Sequence, residues 1–168
     1  MLTSHELFGF MSPALAGDIL NYAYESDKPL YRATLSSVAE SRKLRPIFLE
    51  RQPRSQRHGT MLAALTRPAM ELVAGNLIRT WLVKKQNAVL VEFLNALGIA
   101  HKDGVVDDLP PSMDDAKLHP AIEALLSHHP HEVVAVYLLA FNEMNEANWP
   151  NLKALLESDR RLELGAKS

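Results

Sequence analysis

The residues of this chain best suited to chemistry fall in two short stretches. In the first, His119, His128, His129 and His131 lie within thirteen residues, with Glu132 next to the last of them. Neutral imidazole is a common ligand for zinc, nickel and copper, and His128 and His131 at i, i+3 would share a helical face. Pro130 stands between them, however, and breaks such a helix. A zincin would carry a second histidine four residues after His131, where Ala135 stands, and no histidine follows a glutamate by three. A metal-dependent hydrolase or oxidase would have to use His128, His129, His131 and Glu132 as its ligands. The plainer reading is a set of solvated helix ends, with imidazoles near a C-terminal dipole.

The second stretch is basic. Arg42, Lys43, Arg45, Arg51, Arg54 and Arg57 crowd residues 42–58 beside His58, with Glu50 the only acid. Arginine is the residue for bidentate phosphate or carboxylate contact, and Phe48 could stack a base. Arg42, Arg45, Phe48, Arg51, Arg54 and Arg57 therefore form the candidate set for a partner or an anion. No helix-turn-helix, zinc-finger or RRM pattern accompanies them. The alternative is charge pairing with the acidic loop 103–115, through Asp103, Asp107, Asp108, Asp114 and Asp115, within one chain or between two. The apolar triplet Ile47, Phe48 and Leu49 sits amid these arginines, and apolar residues ringed by charge are an interface composition.

Signatures of other chemistries are missing. The seven glycines are too dispersed for a dinucleotide fingerprint or a P-loop, and no G-x-S-x-G elbow occurs. Zero cysteines remove thiolate nucleophiles, disulfides and Cys-ligated metals. A dispersed active site would escape such a search, because triads are recognised by geometry. The expectation is a non-catalytic interaction module without a cofactor, binding a protein partner or its own copy. Nucleic acid or a phosphate ligand at 42–58 is the first alternative, and the histidine-centred metal enzyme the second.

The elements that must position these residues read as helices. Thr3 and Glu6 have capping-box spacing, with Leu2 and Leu7 at staple positions; a helix start so near the first residue predicts an untrimmed N-terminus. Ser12-Pro13 opens a helix carrying Leu15, Ile19 and Ala23, and Asp27 with Pro29 opens another carrying Tyr31, Leu35 and Val38. Residues 44–59, broken by Pro46, Pro53 and Gly59, read as irregular, with a short helix at Thr60–Leu65. A long stripe runs from Met70 to Leu97, interrupted at Lys84–Asn87, which predicts two successive helices ending at Gly98. Trp81, Tyr22, Tyr24 and Tyr31 read as core rather than as a cofactor site.

Around Lys102-Asp103-Gly104 a small hairpin could form near 99–106. Pro120 would start a helix bearing Ile122, Leu125 and Leu126. Val133–Met144 is apolar on nearly every face; its β-branched content suits a strand, but its length favours a buried helix. Trp149-Pro150 opens the last one. The fold class is thus all-α, an irregular bundle of about seven to nine helices around one core, with 1–168 a single helical domain.

Composition agrees with a packed fold: 47% of residues are hydrophobic and 23% charged, so the chain is neither disordered nor dependent on staples. The longest apolar run, nine residues, is too short for a bilayer, and no signal-peptide pattern opens the chain. A cytoplasmic location without membrane contact is expected. The net charge of −2 hides an asymmetry, because residues 42–86 carry ten bases against two acids while 87–168 carry six against thirteen. Such polarity marks a basic face for an anionic partner, or two surfaces that neutralise each other.

Overall fold

The computed structural model describes residues 2–145 and 147–165 and is all-α, with no strand among them. Its helices are α1 (Ser4–Phe10), α2 (Pro13–Ser26), α3 (Lys28–Ser41), α4 (Pro46–Glu50), α5 (Arg54–Leu65), α6 (Glu71–Thr80), α7 (Asn87–Leu97), α8 (Asp115–His128), α9 (His131–Leu139) and α10 (Pro150–Ser158). The chain forms two compact units, one of residues 3–81 and the other chiefly from Leu82 onward. Among the described residues no helix is long and apolar enough to cross a membrane.

In the first unit the helix starts follow local chemistry. The Ser12 hydroxyl accepts from the Leu15 N–H at 3.2 Å and Pro13 follows it. Asp27 does the same for the Leu30 N–H at 3.2 Å, so each cap satisfies a donor that the helix leaves orphaned. At α1 the expected capping box forms, the Thr3 N–H donating to the Glu6 carboxylate at 2.9 Å. A second cap comes from far along the chain: the Glu71 carboxylate accepts from the N–H groups of Ser4 (2.8 Å) and His5 (3.0 Å). Burial would raise the Glu71 carboxyl, but these hydrogen bonds outweigh it and hold the group below its ordinary range. Leu7, Ile19, Leu20, Val38, Leu49, Met61, Leu65, Leu77, Ile78 and Trp81 are buried in this unit.

The expected irregularity of residues 44–59 is not what the chain does. It builds α4 and the first half of α5, so the expected short helix at 60–65 is in fact twelve residues long. Both prolines act as starters: Pro46 is the first residue of α4 and Pro53 the cap of α5, positions where a missing N–H costs nothing. Gly59 lies on an exposed face of α5 with open space around it, and one glycine there costs only about 1 kcal/mol.

The periodic run divides as expected. The first helix, α6, ends at Thr80, a π-helical turn spans Trp81–Lys85, and α7 begins at Asn87. In the second unit α7 stops at Gly98, whose φ of +70° is the left-handed cap that glycine adopts without strain. The hairpin near 99–106 reduces to one antiparallel bridge, Lys102 with Val105, closing a turn over Asp103 and Gly104. Both central residues have positive φ, the conformation that an Asp-Gly pair favours in such turns. Helix α8 starts at Asp115, five residues before the expected Pro120, which lies inside it on an exposed face. Val133–Leu138 are all buried in α9, confirming the all-round apolar helix, and a π-helical turn continues it from Ala140 to Met144.

Candidate functional site

The structure divides the basic stretch into two arrangements within the first unit. Around α4, Arg42, Lys43, Arg45 and Arg51 are exposed. Among the described residues of this unit, no side-chain hydrogen bond or ion pair holds Arg42, Arg45 or Arg51. Beside them Leu44, Ile47 and Phe48 are 40%, 44% and 54% exposed. Leu49 was expected to share this face and does not. It is fully buried, because a one-residue step along α4 turns its side chain by about 100° toward the core.

The end of α3 explains why Leu44 emerges. The Leu44 N–H donates to the Ala39 carbonyl at 2.8 Å and the Lys43 N–H to Glu40 at 3.0 Å, a Schellman end. Lys43 occupies the left-handed position with φ of +56°, where glycine is usual. The chain therefore reverses sharply and passes through exposed Leu44 and Arg45 into α4. Sequence reading named Ile47 and Phe48 but missed Leu44, whose signal was its place three residues past the end of α3.

The second arrangement gathers Arg54 and Arg57 with Tyr24 and Tyr31, both expected in the core. Tyr31 is buried as expected, but Tyr22 and Tyr24 are only half-buried. The Tyr24 ring has the Arg54 guanidinium 4.5 Å, the Lys28 ammonium 4.3 Å and the Arg57 guanidinium 5.8 Å from its centroid. Arg54 also donates to Asn21 Oδ1 at 2.6 Å. Arg57 donates through Nε to the Tyr31 hydroxyl at 2.7 Å, and through Nη1 to the carbonyls of Glu50 and Gln52 at 3.2 and 3.3 Å.

That hydroxyl lies 2.8 Å from His58 Nε2. Burial, and then the charges of Arg57 and Arg54, lower the His58 pKa to about 4. The imidazole is therefore neutral at pH 7, and its Nε2 can accept a hydrogen bond from the Tyr31 hydroxyl. Burial raises the Tyr31 pKa although Arg57 opposes it, so the phenol stays protonated. The chemistry available here is hydrogen bonding and cation presentation.

Among the described residues, the candidate histidines of the second unit do not gather as one group, and only His128 and His129 share a carboxylate. His128 Nδ1 lies 2.6 Å from Glu92 Oε1, and His129 Nε2 lies 3.4 Å from Glu92 Oε2. His119 pairs loosely with Asp115 one turn before it, at 3.7 Å. Glu132 accepts from the Gly165 N–H at 2.8 Å. Among the described residues no group of three His, Asp or Glu side chains could hold a metal ion. Glu92, absent from the candidate set, is what joins His128 to His129. It stands 36 positions earlier, and no local spacing announces it.

The acidic loop is exposed at Asp103, Asp107, Asp108, Asp114 and Asp115, and Val105 between them is 51% exposed. Comparison with protein-family models, curated proteins and solved structures gives no match.

Proposed function

We propose that this chain is a non-catalytic helical interaction module that associates with a second copy of itself through the α4 face. The observation carrying this reading is the exposure of Leu44, Ile47 and Phe48 together, ringed by exposed Arg42, Lys43, Arg45 and Arg51. Apolar anchors within an arginine-rich rim have the composition of a binding surface. The occupant is argued from charge. The chain itself offers a complementary surface in the exposed aspartates of 103–115 with Val105 among them. A two-fold pair would set each basic face on the acidic loop of the other copy, using both surfaces twice.

Sedimentation equilibrium at low and high salt tests the reading. The expected result is a dimer that weakens as salt rises, since the rim is ionic. Removing an apolar anchor by Phe48→Ala should weaken it roughly tenfold, the size of a modest hot spot. The double variant Asp107→Lys, Asp108→Lys should weaken it similarly. Because Phe48 is exposed, Phe48→Ala should leave stability within about 0.5 kcal/mol, so loss of association will not reflect misfolding. A protein that stays monomeric at millimolar concentration and low salt, or a dimer indifferent to these substitutions, overturns the proposal.

A further inference from the structure

We infer that Lys28, Arg54 and Arg57 form a binding site for a phosphate dianion, distinct from the α4 face and independent of self-association. All three cations have their charge centres within 6 Å of one ring centroid, that of Tyr24. A ring has two faces, so at least two of the three share a side. Among the described residues none of them makes an ion pair with a carboxylate. Like charges brought together without a counter-ion repel, and the ring quadrupole offsets only about 0.5–1 kcal/mol per exposed cation. A dianion would neutralise the group, and the N–H groups of Arg54 and the Arg57 Nη2 that do not donate within the protein are left for its oxygens.

The local backbone reinforces the charge argument. Arg54 is the first residue of α5, and the first intrahelical bond runs from the Arg57 N–H to the Pro53 carbonyl at 2.9 Å. Pro53 offers no side-chain oxygen as a cap, and no acid stands in the first turn. Two arginines thus sit at the positive end of a helix, where a cation is disfavoured and an anion favoured.

The aromatic surroundings select the kind of anion. Tyr24 has cations over its ring, and Tyr31 is buried with its edge contacts taken by Tyr24 (5.1 Å) and His58 (5.5 Å). A nucleobase stacking on Tyr24 would compete with these cations for the ring. The site therefore recognises the phosphate group itself, as the free ion or on a small monoester, rather than a nucleic-acid strand.

Titrations followed by amide NMR test this on the whole chain, with inorganic phosphate and glycerol 3-phosphate as separate probes and sodium chloride at equal ionic strength as control. Saturable shifts confined to amides of residues 21–28 and 54–58 are expected. Arg54→Gln and Lys28→Gln should each weaken binding about tenfold, the worth of a charge-assisted hydrogen bond. Both side chains are exposed, so the variants should fold, and the unperturbed spectrum elsewhere verifies it. Saturation by both probes supports the site; saturation by one also supports it and names the source, free ion or ester. Shifts no larger than those with chloride, or affinities unchanged in both variants, overturn the inference. So does binding of a single-stranded oligonucleotide while both small probes leave these amides unmoved. The dimer test can fail without touching this result, since the Tyr24 site lies outside the α4 face.

Discussion

Aromatic rings are used in opposite ways in the two units. In the first, Tyr24, Tyr31 and His58 pack edge to face or tilted, with centroids 5.1–5.5 Å apart, and the cluster's open side is taken by Lys28, Arg54 and Arg57. In the second, Phe93 meets Tyr137 (5.6 Å) and Phe141 (5.3 Å), and Phe141 meets Trp149 (5.1 Å), all edge to face. Every ring of that chain is buried. The polar groups of Trp149 are met from within: Asn142, only 1% exposed, accepts the Trp149 backbone N–H at 2.8 Å, and the Trp149 indole donates to the Pro110 carbonyl at 2.9 Å. The edge-to-face preference is common to both clusters. What separates them is the partner offered to the rings. Long charged side chains keep one cluster at the surface, whereas a fixed amide and a carbonyl let the other close.

The comparison can be broken by substitution, beginning with the closed cluster. Trp149→Ala removes a fully buried indole and should cost about 3–5 kcal/mol, the usual range for a large aromatic cavity. Urea unfolding followed by circular dichroism measures it; a loss below about 1 kcal/mol would mean the cluster does not hold its unit together.

Tyr24→Leu keeps an apolar body but discards the ring quadrupole. Seats for three partly exposed cations are lost, so the same assay should register a smaller loss, about 1–2 kcal/mol. A cost matching that of Trp149→Ala would contradict the claim that the two clusters differ in kind.

The smallest effect is a dependence on pH. His58 is held near 4 in the folded chain, below the ordinary imidazole value of about 6.5. Between those two values the unfolded chain binds the extra proton and the folded chain does not, so stability falls as pH drops through that window. His58→Gln removes this contribution. The unfolding midpoint of the parent chain should therefore fall further between pH 7 and pH 5 than that of the variant. Equal losses would place His58 in solvent-like surroundings.

Much of this architecture was legible in the chain. Ser12-Pro13 and Asp27 start helices because their side chains reach a nearby N–H, a purely local act. Gly98 ends α7 for an equally local reason. The all-apolar α9 was separable from a strand by length alone. What stayed hidden depended on partners distant along the chain. Tyr24 reads as core because nothing beside it in sequence shows that Arg54 arrives thirty positions later.

A usable signal existed, since Arg54, Arg57 and His58 stand at i, i+3 and i+4 and so share one helical face. Pro46 and Pro53 mask it by suggesting a broken segment, although a proline at a helix start preserves the pattern. Leu49 illustrates the converse limit. A triplet of apolar residues announces burial or docking equally, and only the rotation of α4 assigns Leu49 to the core and Phe48 to the surface.

The chain's two tryptophans are divided between the units, Trp81 closing the first and Trp149 anchoring the second, and both are sheltered from water at 1% and 0% exposure. Intrinsic fluorescence therefore carries two separately addressable beacons, and replacing either tryptophan with phenylalanine leaves emission from one half alone. With no native cysteine to compete, a single engineered thiol can add a dye acceptor at any chosen point. The polypeptide comes ready-made for optical dissection, half by half.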